Sequence, residues 1–324
     1  MAHHYERTSV YGGQVIQGNY YEQPNITRNF IASRDRNTRK EPTLEELSAW
    51  LSELNFSAPL YFHCKKRVTG TCTWLFEDPA VRRWIYRGWL EDARTFKDAD
   101  DPPRYPSVHN GLPSEPLVRV LWLCGDPGVG KTMLCATLIE RLKSITSNHD
   151  AIIYCFFDYA RVQELTAEAV LANLLLQLLT VDFNGRFDAF KEFFIGAEGV
   201  RRNATIQELN VFFEQICGLF RTVYIVIDGF DEAEHSTRRQ LLSSLEGGIS
   251  NNVLLCIAGR PNAVFSSYMN APFATVLVQA QQADLCLYIE ERIADDEDLS
   301  YIVNYSNIKA KDLIDKVIYK ADFR

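Results

Sequence analysis

The sequence contains no apolar run long enough to cross a membrane, and its first thirty residues, including His3, His4, Tyr5, Gln14 and Asn19, lack the apolar stretch of a secretory signal. It has no block of basic residues. The doubled arginines at 82–83, 201–202 and 238–239 are scattered, and the net charge is −8. Tracking along a duplex or a single strand is therefore not expected, because neutralising nucleic-acid phosphates needs a clustered positive footprint. No C-x-x-C pair occurs among the eight cysteines. Cys124, Cys155 and Cys256 fall in apolar strand-like runs and Cys135 and Cys217 in helical patterns, which reads as small buried hydrophobes rather than disulfides or a metal clip. No internal repeat is visible. These absences lead to the expectation of a soluble, cytoplasmic chain with no membrane span and no nucleic-acid partner.

What is present centres on Leu117 to Thr132, LVRVLWLCGDPGVGKT. Val118 and Val120 to Cys124 read as a strand buried on both faces, and the Gly-rich turn after it ends in Lys131 and Thr132 at the head of an apolar-periodic run. Strand, loop and helix in that order form a P-loop. Gly125, Gly128 and Gly130 leave room for backbone N–H groups to turn toward a polyphosphate, and the helix start adds the positive end of its dipole. The candidate phosphate-binding stretch is Gly125, Asp126, Pro127, Gly128, Val129, Gly130, Lys131, Thr132 and Met133. Lys131 would reach the β- and γ-phosphate oxygens, and the Thr132 hydroxyl would hold Mg²⁺. A G-x4-G-K-[ST] match arises by chance in a chain of this length roughly once in a hundred, and the flanking strand and helix lower that further.

At 324 residues and 47% apolar content the chain can bury one full core and part of another. Residues 1–41 are polar and without sustained period, so a disordered tail is expected. Within it Val10 to Tyr21, VYGGQVIQGNYY, combines β-formers with Gln and Asn and carries no charge or proline, the composition of a segment able to stack as cross-β. A helical segment is expected over 42–90. Thr43 and Glu46 make a capping box before Leu44, Leu47, Leu51 and Leu54, and Asp78-Pro79 opens a short helix that Gly88 closes or bends. Residues 91–116, rich in Asp, Pro and Ser, read as a linker or insertion.

From 117 to 280 strand alternates with helix, the signature of a parallel sheet with covered faces. The strands expected after the first are Ala151 to Phe157, Thr222 to Asp228, Asn252 to Ala258 and Thr275 to Val278. The helices follow Lys131, Thr166 and the Thr205/Glu208 capping box. The fold class is thus α/β, a P-loop NTPase with a mostly parallel five-stranded sheet, an N-terminal helical segment and a C-terminal helical extension. Residues 281–324 read as the start of a helical subdomain. Leu313, Ile314, Val317 and Ile318 form an apolar face still running at Arg324, which suggests a truncated protein or a missing subunit.

A P-loop alone binds nucleotide, whereas hydrolysis or sensing needs an acid at the end of a nearby strand. Val223 to Glu232, VYIVIDGFDE, supplies it. Asp228 stands where a carboxylate can hold Mg²⁺ through water, and Asp231 and Glu232 could orient or deprotonate an attacking water.

Gly229 after the first Asp, then an acid three positions on and another beside it, resembles the NACHT branch of the STAND NTPases. Three further pieces match in order over roughly residues 65–324. Gly70-Thr71-Cys72-x-Trp74-Leu75 is similar to the element preceding the P-loop in fungal NACHT proteins, LLCIAGRP at 254–261 to the strand ending in a sensor arginine, and Asp284 to Ile289 to the first helix after the nucleotide core. The resemblance implies a nucleotide-dependent switch of the NLR-like type that uses Mg²⁺ with ATP or GTP. Arg260 would touch the γ-phosphate, activation would bring homo-oligomerisation, and the N-terminal tail could relay to an effector protein. Family members usually continue into a winged-helix region and ligand-sensing repeats, and this sequence stops before both.

Two other functions stay open. A turnover enzyme is one, although a small-molecule kinase would show an arginine-rich lid, and a ring ATPase normally has Glu where Gly229 stands. The other is an interaction fragment that binds nucleotide poorly.

Overall fold

Seven runs of β-forming sequence become strands in the computed structural model, which describes residues 9–11, 14–16, 51–52, 54–92, 118–181, 204–249, 252–261, 273–305 and 310–321. Two of them, β1 (Ser9–Tyr11) and β2 (Gln14–Ile16), pair antiparallel, with Val10 opposite Val15 and Tyr11 opposite Gln14. The expected Thr43 capping box, the remainder of the tail and the linker beyond Asp92 lie outside the described residues.

The other five form one sheet: β3 (Val120–Cys124), β4 (Asp150–Phe156), β5 (Thr222–Asp228), β6 (Val253–Gly259) and β7 (Phe273–Leu277). Their order is β4-β5-β6-β3-β7, and every neighbouring pair is parallel. The three central strands are buried along their whole length, as strands covered on both faces of a parallel sheet are, and only Thr222 and Asp228 at the ends of β5 interrupt their apolar runs. At the β7 edge only Val276 is buried. The β4 edge is covered by a side chain: Gln177 accepts from the Tyr154 N–H at 3.0 Å and donates to the Tyr154 carbonyl at 2.7 Å, which closes a pairing site on that strand.

Helices cover the faces. Before the sheet stand α1 (Ser57–Lys66), a 3-10 turn (Thr73–Glu77) and α2 (Pro79–Asp92), and between the strands run α3 (Lys131–Ile145), α4 (Ala167–Thr180), α5 (Ile206–Cys217) and α6 (His235–Ile249). The Thr166 hydroxyl caps α4 by accepting from Ala169 N–H, and Thr205 with Glu208 closes both bonds of a capping box on α5. Trp84 of α2 is fully buried, edge-on to Tyr224 of β5 with ring centroids 5.4 Å apart, and the Tyr224 hydroxyl donates to the Ile85 carbonyl at 2.8 Å. The segment before the P-loop therefore packs into the same core as the sheet.

After β7 come α7 (Gln282–Asp295), α8 (Glu297–Tyr305) and α9 (Ala310–Ala321), with a small cluster of their own around Ile293 and Ile314. The pattern differs from the expected one in several places. α2 passes through Gly88, since one glycine in a helix interior costs only about 1 kcal/mol and burial of Val81, Trp84 and Ile85 outweighs it. The sequence pattern also hid α1, α6 and α8. α1 buries Leu60 alone, so it has no apolar stripe, and α6 carries Gly247-Gly248 in its last turn.

Candidate functional site

In a parallel sheet all strands end on one side, and here β3, β5 and β6 end together. β3 leads into the Gly-rich loop, β5 ends on Asp228 and β6 is followed by Arg260. β3 and β5 are not neighbours, because β6 lies between them. The loop is tied to that middle strand by Gly125 N–H, which donates to the Gly259 carbonyl at 3.2 Å, and to the chain after β7 by Val278 N–H on the Cys124 carbonyl at 2.7 Å. Gly125 has no room for a side chain: a Cβ there would lie 2.5 Å from the Val278 carbonyl oxygen. Gly128 and Gly130 stand at φ +83° and +96°, a left-handed turn that launches α3 directly from Gly130.

A cavity of about 260 Å³ is lined by Pro127, Gly128, Gly130, Lys131, Thr132, Asp228, Gly229, Asp231, Glu232 and Arg260. Lys131 Nζ donates to the Gly125 and Asp126 carbonyls at 2.8 Å each, folding its ammonium over the loop. Val129 and Met133 line a neighbouring cleft of about 400 Å³ together with Trp74, Tyr288 and Asp284. Gly128 and Gly130 border both, so the two spaces meet at the loop.

Asp228 is 5% exposed. Burial raises its carboxyl above the ordinary value, and hydrogen bonds from the Thr132 hydroxyl and the Cys135 thiol oppose that rise. After it Gly229 takes φ +66° and the chain makes a 3-10 turn, Phe230–Glu232, whose three side chains diverge. Phe230 is buried edge-on to Phe157 with centroids 6.4 Å apart. Asp231 meets Arg260, Oδ2 to Nε at 3.0 Å and Oδ1 to the backbone N–H at 3.2 Å. Glu232 accepts from Tyr159 N–H at 3.1 Å. Burial raises the Glu232 carboxyl, the Tyr159 bond lowers it, and the charges of Asp231, Asp228 and Asp158 raise it further.

Three further residues stand by the site, of which His63 and Cys135 belonged to no sequence motif and Asp284 opened the segment read as the first helix after the nucleotide core. His63 of α1 stacks tilted on Phe156, the register partner of Asp228, at 5.7 Å; burial lowers its pKa, and the Asp228 charge works against that. Nothing in SAPLYFHCKK announces it. Cys135 lies three residues past Thr132 on the same helical face, so spacing alone could have placed it beside Asp228. Asp284 accepts from the Cys72 N–H at 3.0 Å and joins α7 to the turn before α2, where Cys72 stands at φ +65°.

Among the described residues no group of three or more His, Cys, Asp or Glu side chains could enclose a metal. The donor set at the loop is one buried carboxylate and one hydroxyl. It suits Mg²⁺, which keeps waters and substrate phosphates as most of its ligands and needs few from protein. A carboxylate as buried as Asp228 is also stabilised in its charged form by a cation. No helix among the described residues is long and apolar enough to cross a membrane.

An all-parallel five-stranded sheet, with a Gly-rich loop and helix after one central strand and an acid at the tip of another, defines a P-loop NTPase-type α/β fold. Within that class, residues 105–260, just under half of the chain, match the family model described as Nephrocystin 3, N-terminal. That span holds the loop and the acid run and ends on Arg260. No curated protein matches the chain. Similar solved structures include C. elegans PCH-2, at 13% identity and a TM-score of 0.35 over 71% of this chain and 48% of that one. The Aeropyrum pernix ORC1 protein in complex with DNA is 16% identical, with a TM-score of 0.39 over 59% of this chain and 50% of that one. Drosophila ORC bound to GC-rich DNA and Cdc6 is 12% identical, with a TM-score of 0.33 over 89% of this chain and 45% of that one. The chain spans about half the length of these solved chains. At these scores the likenesses add nothing to what the sheet order itself establishes.

Proposed function

We propose that this chain binds a nucleoside triphosphate, ATP or GTP, with Mg²⁺ and hydrolyses it slowly, as a signalling switch of the NACHT type. One observation carries the reading: Gly128, Gly130, Lys131, Thr132, Asp228, Glu232 and Arg260 come from three separate strand ends and line a single cavity. A bare anion site would need only the loop. The adjoining cleft, with Trp74, Val129, Met133 and Tyr288 on its walls, is the kind of mostly apolar space that a base and sugar require.

In this reading Lys131 exchanges the Gly125 and Asp126 carbonyls for phosphate oxygens, and the N-terminus of α3 adds the positive end of its dipole. Thr132 and Asp228 would hold Mg²⁺, which supplies charge neutralisation at the phosphates. Glu232, anchored by Tyr159 N–H, holds the attacking water and takes its proton. Arg260 addresses the outermost phosphate and so separates triphosphate from diphosphate. Through the same switch the triphosphate form self-associates, and the N-terminal tail, where β1 and β2 already pair, passes the signal to an effector protein.

The test is titration of fluorescent mant-ATP and mant-GTP in Mg²⁺ and again in EDTA. One of the two is expected to bind with an affinity that EDTA reduces at least tenfold, and Asp228→Asn is expected to abolish that difference. If neither nucleotide binds the wild-type chain, the reading falls.

A further inference from the structure

Asp231 stands beside Glu232 in a run of acids, and by sequence either could act on water. The structure separates them. Both oxygens of Asp231 are engaged by one residue: Oδ1 accepts the Arg260 backbone N–H at 3.2 Å and Oδ2 faces Nε at 3.0 Å. The Asp231 side chain is 12% exposed and that of Arg260 is 47% exposed. The carboxylate is the buried, fixed partner, and the more exposed Arg260 lines the cavity that Lys131 and Thr132 also line. The turn carrying Asp231 is itself held by Phe230, 3% exposed against Phe157.

The end of β6 is shaped for this contact. A Cβ on Gly259 would lie 3.1 Å from Asp231 Oδ1 and 2.8 Å from the Trp122 ring, so a side chain there would force the carboxylate or the ring to move. The ion pair at Nε engages one part of the guanidinium, whose planar fork is otherwise shaped to meet phosphate oxygens. It thereby ties the guanidinium to the Asp231 side of the cavity that Arg260 lines. A long flexible arginine held this way loses less freedom on meeting a phosphate than an untethered one.

We infer that Asp231 is a positioning residue that aims Arg260 at the outermost phosphate and so sets the preference for triphosphate over diphosphate, and that it does not act on water. The inference rests on the phosphate-site reading above. Its measure is the ratio of mant-diphosphate to mant-triphosphate dissociation constants in Mg²⁺, taken for whichever of the ATP/ADP or GTP/GDP pairs the wild-type chain binds more tightly.

The wild-type chain is expected to favour the triphosphate. Arg260→Gln and Asp231→Asn are each expected to lower the ratio about tenfold, in keeping with loss of a hydrogen bond to a charged group. The double variant is expected to fall no further than either single one, because two residues acting as a unit are non-additive. If Asp231→Asn is unfolded by circular dichroism, Arg260→Lys carries the test. It keeps the charge but replaces the planar guanidinium that Asp231 holds by a flexible point charge, and is expected to lose the ratio as Arg260→Gln does.

An unchanged ratio in Asp231→Asn, full additivity in the double variant, or full retention in Arg260→Lys would each overturn the inference. So would a wild-type chain that binds both nucleotides equally. Abolished single-turnover hydrolysis with an intact ratio would return Asp231 to the water. Failure of the wild-type chain to bind either nucleotide is a different result, which removes the phosphate-site reading itself.

Discussion

Replacing Lys131 with alanine tests the phosphate loop most directly. Its ammonium makes two contacts, 2.8 Å each to the Gly125 and Asp126 carbonyls. Lys131 is half-buried, Asp126 exposed and Gly125 buried, so water replaces the ammonium readily at the Asp126 carbonyl and less readily at that of Gly125. The cost to folding is about 1 kcal/mol, a shift of a few degrees in melting temperature. The cost to binding is different in kind. If the same two donors move to phosphate oxygens, each bond is charge-assisted and contributes about 1.5–3 kcal/mol. Together that is about 3–6 kcal/mol, or on the order of 10²- to 10⁴-fold in dissociation constant. Calorimetric titration of the variant, with a thermal melt of the same sample, reads both quantities. Affinity within threefold of wild type with an unchanged melt would refute the placement of Lys131 on the phosphates, and a collapse of the melt would refute the claim that the loop folds without it.

Two further predictions concern the same edge of the sheet. Glu232→Gln should slow single-turnover hydrolysis at least tenfold while nucleotide affinity stays within about twofold, as expected for loss of a general base. Because the Glu232 carboxyl lies above its ordinary value of 4.5, the base is still protonated at pH values where a free glutamate is ionised. The acid limb of the wild-type pH–rate profile should therefore lie above that value and be absent in Glu232→Gln. Stability has the matching sign: the contribution of this proton is present below the ordinary carboxylate range and is lost as pH rises through the raised value, so Glu232→Gln should flatten that decline in urea midpoints. Gly125→Ala should destabilise the fold by about 1–3 kcal/mol, the usual cost of forcing an extra group into a packed site, because its Cβ would meet the Val278 carbonyl oxygen at 2.5 Å. An unchanged urea midpoint would show that the loop tolerates the shift.

Much of the chain is legible without coordinates. The strand run VLWLC and the VYIVI stretch of TVYIVID are apolar throughout because both their faces are covered, and a residue pattern of that kind states its burial by itself. The Thr205/Glu208 box states a helix start, since the bonds involved span three residues. The loop and acid runs are local too, and their chemistry is implied by residue type and spacing. The helices that escaped notice are those whose stabilising contacts are not local. α1 shows one buried side chain, yet it carries His63 and Arg67 follows it. His63 reaches Phe156, and Arg67 reaches Glu140 of α3 at 3.4 Å.

The sequence by itself determined the ingredients: a parallel α/β fold, a glycine turn ending in Lys131 and Thr132, and acids after a buried strand. Only the tertiary structure decided how they meet. Strand order is set by which faces pack, and it put β6 between β3 and β5, so that Arg260 arrives between the loop and Asp228. It also divided two adjacent acids, turning Asp231 to Arg260 and Glu232 to Tyr159 N–H. The backbone of a 3-10 turn sends successive side chains in different directions, and what each of them meets depends on residues dozens of positions away, which no local pattern records.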